Sequence, residues 1–162
     1  MQIRLAESGD KNQLINLIAH FRIALANFKS KEREPDLERA AEELEDYQEK
    51  DYPIYVAEID NRVVGYLVCK VVDTVVWAES LYVLPDYRKR GIGSALYAEA
   101  EKLVEKLGGE TLYNWVHPNN DKIIAFLKKQ GYNVLNLVEV RKRLKGEETT
   151  QKIQVNNHQF DY

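Results

Sequence analysis

The chain has 162 residues, with 26 acidic and 23 basic side chains and a net charge of −3. This length suits one domain that folds without disulfides or metal, and the slight acidity argues against a general nucleic-acid binder. The one cysteine, Cys69, lies in an apolar strand pattern, and we expect it to be a packing residue. No stretch is long or apolar enough to span a bilayer, and Met1-Gln2-Ile3-Arg4 lacks the apolar core of a secretory signal, so we expect a soluble cytoplasmic protein.

The hydrophobic pattern predicts alternating helices and strands along the whole chain. The first half should contain a strand at 2–6, a helix capped at Ser8-Gly9-Asp10, a charged connection at 29–34 and a helix from Pro35 to about Glu49. Strands follow at 54–59 and 63–72, joined by a turn at Asp60-Asn61, and at 74–83. The rest should contain a helix that ends at Gly108-Gly109, a strand at 111–116, a helix capped at Asn119 or Asn120, and strands at about 132–134 and 137–144.

A glycine-rich basic turn, Arg88-Lys89-Arg90-Gly91-Ile92-Gly93-Ser94, joins the strand at 74–83 to the helix that follows. Glycines let a ligand approach the backbone closely, and the first amides of a helix point outward without intrahelical partners. Because the helix dipole and three basic side chains add positive charge, the turn is typical of a pyrophosphate-binding site. It matches neither the dinucleotide pattern G-x-G-x-x-G nor the triphosphate pattern G-x-x-x-x-G-K-S/T.

The turn and its lead-in, Val83-x-Pro85-x-Tyr87-Arg88-x-x-Gly91-x-Gly93, resemble the acyl-CoA-binding motif R/Q-x-x-G-x-G/A of the GNAT N-acyltransferase superfamily. The segment from Asn120 to Tyr132 resembles the later signature N-x-x-A-x-x-F-Y-x-x-x-G-F, although Leu127 stands where many members carry tyrosine. The resemblance implies an α+β fold of the GNAT type, with a central, mostly antiparallel twisted sheet of about six to seven strands and about four helices. It implies a single domain at 1–144 that uses acetyl-CoA as co-substrate and needs no metal.

The same resemblance assigns roles around the predicted cofactor. Leu81, Tyr82 and Val83 are implied to contact it, with Leu81 and Val83 offering backbone groups. Arg88, Lys89, Arg90, Gly91, Ile92, Gly93 and Ser94 are implied to hold its pyrophosphate. Asn120 is implied to contact the pantetheine arm. The structural alternative is a helix N-cap, and the two roles are compatible.

Glu79 is the candidate general base. It stands inside an otherwise apolar strand, where an unpaired charge is costly and needs a reason. A primary amine has a pKa near 10.4 and must lose a proton before it attacks a thioester, which calls for a carboxylate nearby. In spermidine/spermine N-acetyltransferases, which this segment resembles, a glutamate at this distance from the motif is the proposed base. The alternative is a glutamate that faces solvent or pairs with a structural Lys or Arg.

A general acid for the departing thiolate is not identified by the sequence. Leu127 cannot donate a proton. Tyr113, His117 and Tyr132 are candidates, and water is a further alternative because a thiolate is weakly basic. A metal site from His20, His117 and His158 is not expected, since no pair has ligand spacing.

The acceptor is suggested by the charge of one segment. Residues 32–51 contain ten acidic and three basic side chains, a net charge of −7. This segment is either a solvated acidic helix face or an attractor for a cationic amine such as a polyamine, an aminoglycoside-like molecule or a lysine-bearing peptide.

We therefore expect acetyl transfer from acetyl-CoA to a small-molecule or peptide amine, and no nucleic-acid or membrane partner. The alternative is a CoA-binding sensor or interaction module without transferase activity. The tail at 145–162 is either loosely ordered or an extra strand packed on a partner subunit, as in a homodimer.

Overall fold

The computed structural model describes residues 1–27, 32–149 and 151–162, which form two compact units, Met1–Gly131 and Tyr132–Tyr162. The charged connection predicted at 29–34 lies partly outside these residues. In the first unit the helices are α1 (Lys11–Asn27), α2 (Leu37–Glu49), α3 (Ile92–Leu107) and α4 (Asp121–Lys129), and the strands are β1 (Gln2–Leu5), β2 (Ile54–Ile59), β3 (Arg62–Val72), β4 (Val75–Val83) and β5 (Leu112–Asn114).

The five strands form one sheet in the order β1-β2-β3-β4-β5. All neighbours are antiparallel except β4 and β5, which are parallel. The β2–β3 hairpin turns at Asp60 and Asn61, both with positive φ (50° and 61°), a backbone geometry that Asp and Asn adopt more easily than most residues. The predicted α+β fold with a mostly antiparallel sheet is confirmed.

Helices cover both faces of this sheet. On one face, buried residues of α1 and α2, such as Leu14, Ile18 and Leu44, pack with Tyr66 and Val68 of β3 in a single core. Side chains alternate along a strand, so the intervening β3 residues face the other side, where α3 packs against β3 and β4. The central strands are therefore buried on both faces, which explains their continuous apolar sequence.

Cys69 is one of these buried β3 residues, with no exposed surface. Burial raises the pKa of its thiol to about 12, so the thiol stays protonated at neutral pH. The packing role predicted for this residue agrees with that environment.

The start of each of the first two helices differs slightly from the prediction. Ser8–Asp10 form a 3-10 turn rather than a cap, and Glu7 and Asp10 make the capping interactions. The second helix begins at Leu37 rather than at Pro35, because the side chain of Asp36 accepts a hydrogen bond from the Arg39 amide and acts as the N-cap.

The strands predicted at 132–134 and 137–144 are wrong, because the structure forms no strand over either range. Local side-chain contacts offer one physical reason. Arg141 donates to Glu147, and the Leu144 amide donates to Glu147 Oε2 at 2.9 Å, so backbone and side chains are engaged within the segment itself. The main sheet consequently has five strands rather than six or seven.

The second unit contains a small hairpin, β6 (Lys152–Val155) and β7 (His158–Asp161). Lys152 and Arg143 both form ion pairs with Asp161. Part of the tail is thus a strand pair. Its packing on a partner subunit stays a prediction, as does the domain boundary at 144.

Candidate active site

Glu79 lies at a β-bulge in the middle of β4. On β3, Val68 pairs with Ser80 and Cys69 pairs with Ala78, so Glu79 is an extra residue without a partner in the ladder. A bulge bends its strand and redirects a side chain, and such irregularities are frequent next to active sites. The bulge therefore determines the position of the Glu79 side chain.

The carboxyl group of Glu79 has an unsatisfied oxygen. The residue is half-buried, and its Oε2 atom is buried without a hydrogen-bond partner within the part of the chain that the structure describes. A buried carboxylate oxygen without a donor is energetically costly. This oxygen is thus suited to accept a hydrogen bond or a proton from a bound molecule.

Polar side chains of α2, β3 and β4 are hydrogen-bonded to one another. The Tyr47 hydroxyl donates to Glu43 Oε1 at 2.5 Å, and the hydroxyls of Tyr66 and Ser80 lie 2.8 Å apart. Burial raises the pKa of Tyr47 well above its ordinary value, with further contributions from Glu43 and from the charge of Glu79. Since charges act strongly only at short range, the Glu79 carboxyl group lies near Tyr47 of α2.

The edge of β4 beyond Glu79 is open. The pairing with β5 ends at Ala78 and Asn114, while β4 continues to Val83. The Leu84 amide donates to Val64 of β3, and backbone groups alternate sides along a strand. The backbone groups of Leu81 and Val83 therefore point away from β3. Val83 O accepts a hydrogen bond from Arg88 there, and an extended chain of amides could pair with the other groups.

The turn after β4 presents free amides. Gly91, the N-cap of α3, has a φ of 82° that favours glycine. Because glycine has no side chain, it cannot accept a capping hydrogen bond from the first amides of the helix. The first intrahelical bond runs from the Ala95 amide to Gly91 O at 3.0 Å, so the amides of Ile92, Gly93 and Ser94 have no intrahelical partners. Together with the helix dipole, these amides suit the anion site that the sequence predicts, and binding of an anion there stays a prediction.

Arg88 makes two contacts with the end of β4 that the sequence does not reveal. Its Nε donates to Val83 O at 2.8 Å, and its guanidinium lies 5.3 Å from the centre of the Tyr82 ring. These contacts hold the turn against the end of β4. Lys89 and Arg90 are exposed, and the Arg90 guanidinium lies 5.3 Å from the centre of the Tyr87 ring.

A family model described as the acetyltransferase (GNAT) family matches residues 19–132, more than half of the chain. The chain belongs to this family. An uncharacterized N-acetyltransferase of Methanocaldococcus jannaschii is 29% identical over 92 residues, covering 52% of this chain and 41% of that protein. A spermidine N(1)-acetyltransferase of Thermoplasma acidophilum is 31% identical over 75 residues, covering 46% of this chain and 47% of that protein. The match thus spans less than half of the length of each of these two relatives.

Solved structures confirm the GNAT fold. One is AAC(6')-Iy, an aminoglycoside N-acetyltransferase solved with the bisubstrate analogue CoA-S-monomethyl-acetylneamine. It aligns with a TM-score of 0.69 at 19% identity and covers 88% of this chain and 98% of that chain. In the described part of the present chain, no helix is long and apolar enough to cross a membrane, and no three metal-ligating side chains are grouped to hold an ion.

The two GNAT sequence motifs meet in the structure. A Cβ atom built on Gly93 would lie 3.4 Å from the ring of Phe126, so glycine at this position lets α3 approach α4 closely. Tyr97 of α3 also packs edge-on against Phe126, with ring centroids 5.2 Å apart. Glycine at 93 therefore serves packing as well as ligand access, which sequence analysis did not foresee.

Asn120 is the N-cap of α4. Its Oδ1 accepts a hydrogen bond from the Ile123 amide at 3.2 Å, which is the structural alternative considered for this residue. Its side-chain NH₂ group remains a potential donor, so the pantetheine contact stays a prediction.

The candidate acids lie in different settings. Leu127 is buried hydrocarbon, with 6% of its surface exposed. Nδ1 of His117 lies 3.3 Å from the Asn119 amide, and the Tyr113 ring packs on Trp77, while Tyr132 belongs to the second unit. Nothing in these contacts singles out one of them as a proton donor.

The acidic segment is partly neutralised. Glu43, Glu45 and Asp46 form ion pairs with Arg22, Lys11 and Lys50. The remaining acids of the segment include exposed side chains on α2, such as Glu38, Glu42 and Glu49. The excess negative charge of this segment therefore persists at the surface of the folded protein.

Proposed function

We propose that this chain is an N-acetyltransferase that transfers the acetyl group of acetyl-CoA to a primary amine by direct attack. The observation that carries the proposal is the buried, unpartnered Oε2 atom of Glu79 beside the open edge of β4. Membership of the GNAT family supports it, as do a relative named for spermidine and a structural neighbour solved with a CoA analogue.

On the donor side, the free amides of Ile92, Gly93 and Ser94 would hold the pyrophosphate, with added charge from Lys89 and Arg90. The backbone of Leu81 and Val83 would pair with the amides of the pantetheine arm. Tyr82 acts indirectly, by supporting Arg88. The Asn120 NH₂ group would donate to the same arm.

The reaction follows from these positions. Glu79 accepts a proton from the ammonium form of the acceptor, directly or through water, and the freed amine attacks the thioester carbonyl. The C–N bond forms, and a backbone N–H of β4 would stabilise the tetrahedral oxyanion. Collapse breaks the C–S bond and releases the CoA thiolate, which takes up the second amine proton through water. The products are an N-acetylated amine and CoA.

The acceptor is proposed to carry additional positive charge. The exposed acids of α2 would attract such a molecule at low ionic strength. Tyr47 and Tyr52, whose stacked rings lie 6.4 Å apart at the end of α2, are near the same region. A small polyamine or a cationic peptide amine fits this charge pattern.

The setting of the enzyme is part of the proposal. Acetyl-CoA is an intracellular metabolite, so the proposed location is the cytoplasm. A homodimer that involves the tail at 145–162 is proposed for this chain, and light scattering of the full-length protein tests it.

The test is a screen of amine classes with acetyl-CoA, read as free thiol release. The proposal predicts amine-dependent release that is faster with cationic amines than with neutral ones. The competing function is a CoA-binding sensor, favoured by the hydrocarbon side chain at Leu127. A protein that binds acetyl-CoA in calorimetry but releases no thiol with any amine class would establish the sensor instead.

A further inference from the structure

A row of large side chains crosses three neighbouring strands. Lys70 of β3 pairs with Trp77 of β4, and Trp77 pairs with Tyr113 of β5. Side chains at directly paired positions lie on the same face of a sheet. Trp115 follows Tyr113 by two residues and extends the row on that face.

The three aromatic residues of this row form one contiguous cluster, and Lys70 lies against it. The ring of Trp77 lies 5.9 Å from both Tyr113 and Trp115, with interplanar angles of 36° and 31°. Trp115 is 61% exposed, so its ring offers an open surface to solvent. Trp and Tyr rings are enriched at interfaces, because each combines a large apolar surface with a polar group.

The cation-binding position of the cluster is already filled by the protein. The Lys70 ammonium lies 4.8 Å from the centre of the Trp115 ring and 5.7 Å from that of Trp77. Both distances are within the range of a cation–π contact. A second cation at this place would be repelled, so the cluster favours a neutral ring with an acceptor atom for Lys70.

The cluster lies beside Glu79. On β3, Lys70 lies on the same face as Val68 and Tyr66, which pack in the core under α1 and α2. The Glu79 carboxyl group lies near Tyr47 of that core, because its charge contributes to the raised pKa of Tyr47. Trp77 and Glu79 are two residues apart on β4, a spacing of about 7 Å along a strand. A molecule of moderate size therefore reaches from one to the other.

We propose that Lys70, Trp77, Tyr113 and Trp115 form an acceptor subsite for an amine that carries an oxygen-substituted ring. The ring packs on the exposed indole of Trp115, and its oxygen accepts a hydrogen bond from Lys70. This inference rests on the proposed function, because Glu79 would take the proton from the amine of the same molecule. The ring is either a phenol or a hydroxylated sugar ring, which share this chemistry.

The cluster contains both tryptophans of the chain, so indole fluorescence reports on it without any need for turnover. The CoA-saturated protein is titrated with tyramine, glucosamine, phenethylamine and butylamine. Tyramine or glucosamine should give a saturable change, and whichever of the two does so identifies the kind of ring. Phenethylamine should bind more weakly than tyramine, and butylamine should give no change.

Variants test whether the ring amines bind at the cluster, and calorimetry measures their affinities. Trp115→Ala should weaken binding of the preferred ring amine by about 3- to 10-fold, as expected for loss of an aromatic contact, whereas Trp115→Phe should keep most of it. Lys70→Met should remove the preference for tyramine over phenethylamine. Leu5→Ala, an exposed apolar residue on the opposite edge strand β1, is the matched control and should change nothing.

The outcomes separate this inference from the proposed function. If butylamine binds and reacts as well as the ring amines, or Trp115→Ala binds them like the parent, the subsite is wrong while acetyl transfer stands. If ring amines bind through Trp115 and Lys70 but no amine is acetylated, the ring-binding cluster stands and the transferase is wrong.

Discussion

The turn from Val83 to Ser94 consists of consecutive residues, whereas the residues around Glu79 are far apart in the sequence. The proposed donor side consists of one strand end and the helix that follows it directly, with Asn120 added from the start of α4. The proposed acceptor side gathers Tyr47 from α2, Lys70 from β3 and Trp115 from the segment after β5 around a single carboxylate. The donor side can therefore be recognised in a local motif, whereas the acceptor side depends on the tertiary fold.

This difference has a consequence for function. A turn made from consecutive residues keeps its geometry when distant residues change, so CoA binding should be robust to changes on the acceptor side. An acceptor side made from separate elements can change its specificity by single substitutions without disturbing the donor. Variants on the two sides should thus have separable effects on donor binding and on turnover.

The largest expected effect is on turnover. Glu79→Gln should lower kcat by roughly 10²-fold or more at neutral pH, within the usual range for loss of a general base. CoA affinity should survive, because the glutamine is nearly isosteric and the donor turn is untouched. Raising the pH should recover part of the loss as free amine becomes more abundant. Steady-state kinetics between neutral and alkaline pH measure kcat, and calorimetry measures the affinity for CoA. If the kcat of the variant equals that of the parent throughout this pH range, Glu79 is not the base.

The next effect is on donor binding. Gly91→Val forces a β-branched residue to a φ of 82° at the start of α3, and we expect CoA affinity to fall by about tenfold or more. Gly108→Val is the matched control, since Gly108 caps the other end of the same helix with a φ of 73° and similarly open space. The melting temperature should fall by a similar amount in both variants, but only Gly91→Val should have a reduced affinity for CoA in calorimetry. Equal CoA affinities would remove the turn from the donor site.

A smaller effect concerns charge on the acceptor side. The KM of a cationic amine should rise a few-fold between low and physiological salt, roughly as screening over a Debye length of about 8 Å requires. A neutral amine serves as the control and should show little change. Identical salt dependence for the two would reassign the exposed acids of α2 to solvation alone.

The smallest effect on catalysis is expected far from both sides. Asp10 accepts hydrogen bonds from Arg4 at 2.7 and 2.9 Å, and these bonds hold the pKa of its carboxyl group below the ordinary value. Because the folded pKa is depressed, the contribution to stability is complete above the unfolded pKa of about 4 and is lost as the pH falls below it.

Asp10→Asn should therefore lower the free energy of unfolding by about 1–3 kcal/mol at neutral pH and flatten its decline in acid, with kcat unchanged. Denaturant unfolding at several pH values measures the change. Glu45→Gln, which removes an exposed ion pair with Lys11, is the control and should cost much less. A large loss of kcat in Asp10→Asn at a temperature where the protein stays folded would show that the two regions are not separable.

Much of the fold was predictable because local rules act within single elements. The hairpin at Asp60-Asn61 and the helix after Gly91 follow from turn chemistry and periodicity, and both are present. The strands expected at 132–134 and 137–144 were not predictable in this way, because an apolar pattern does not specify a pairing partner. The observed helix starts differ from the predicted ones by a few residues, because capping side chains such as Asp36 determine where a helix begins.

The candidate site was predictable only in part. Glu79 stood out as a charge in an apolar strand, but the bulge that positions it is a property of two strands and leaves no mark in one of them. The contact of Gly93 with Phe126 joins segments about 30 residues apart, so neither motif alone reveals it. The same holds for Lys70 and Trp115, whose cation–π contact exists only because β3, β4 and β5 are neighbours.

The most direct test of direct acetyl transfer is a single-turnover experiment on the full chain. The protein is loaded with acetyl-CoA and mixed with buffer or with a cationic amine, and free thiol, N-acetylated amine and acetylated protein are measured over time. The account predicts no thiol release without amine, and with amine one thiol for each N-acetylated product. Thiol release with an acetylated protein before amine is added, or no release with any amine, would contradict it.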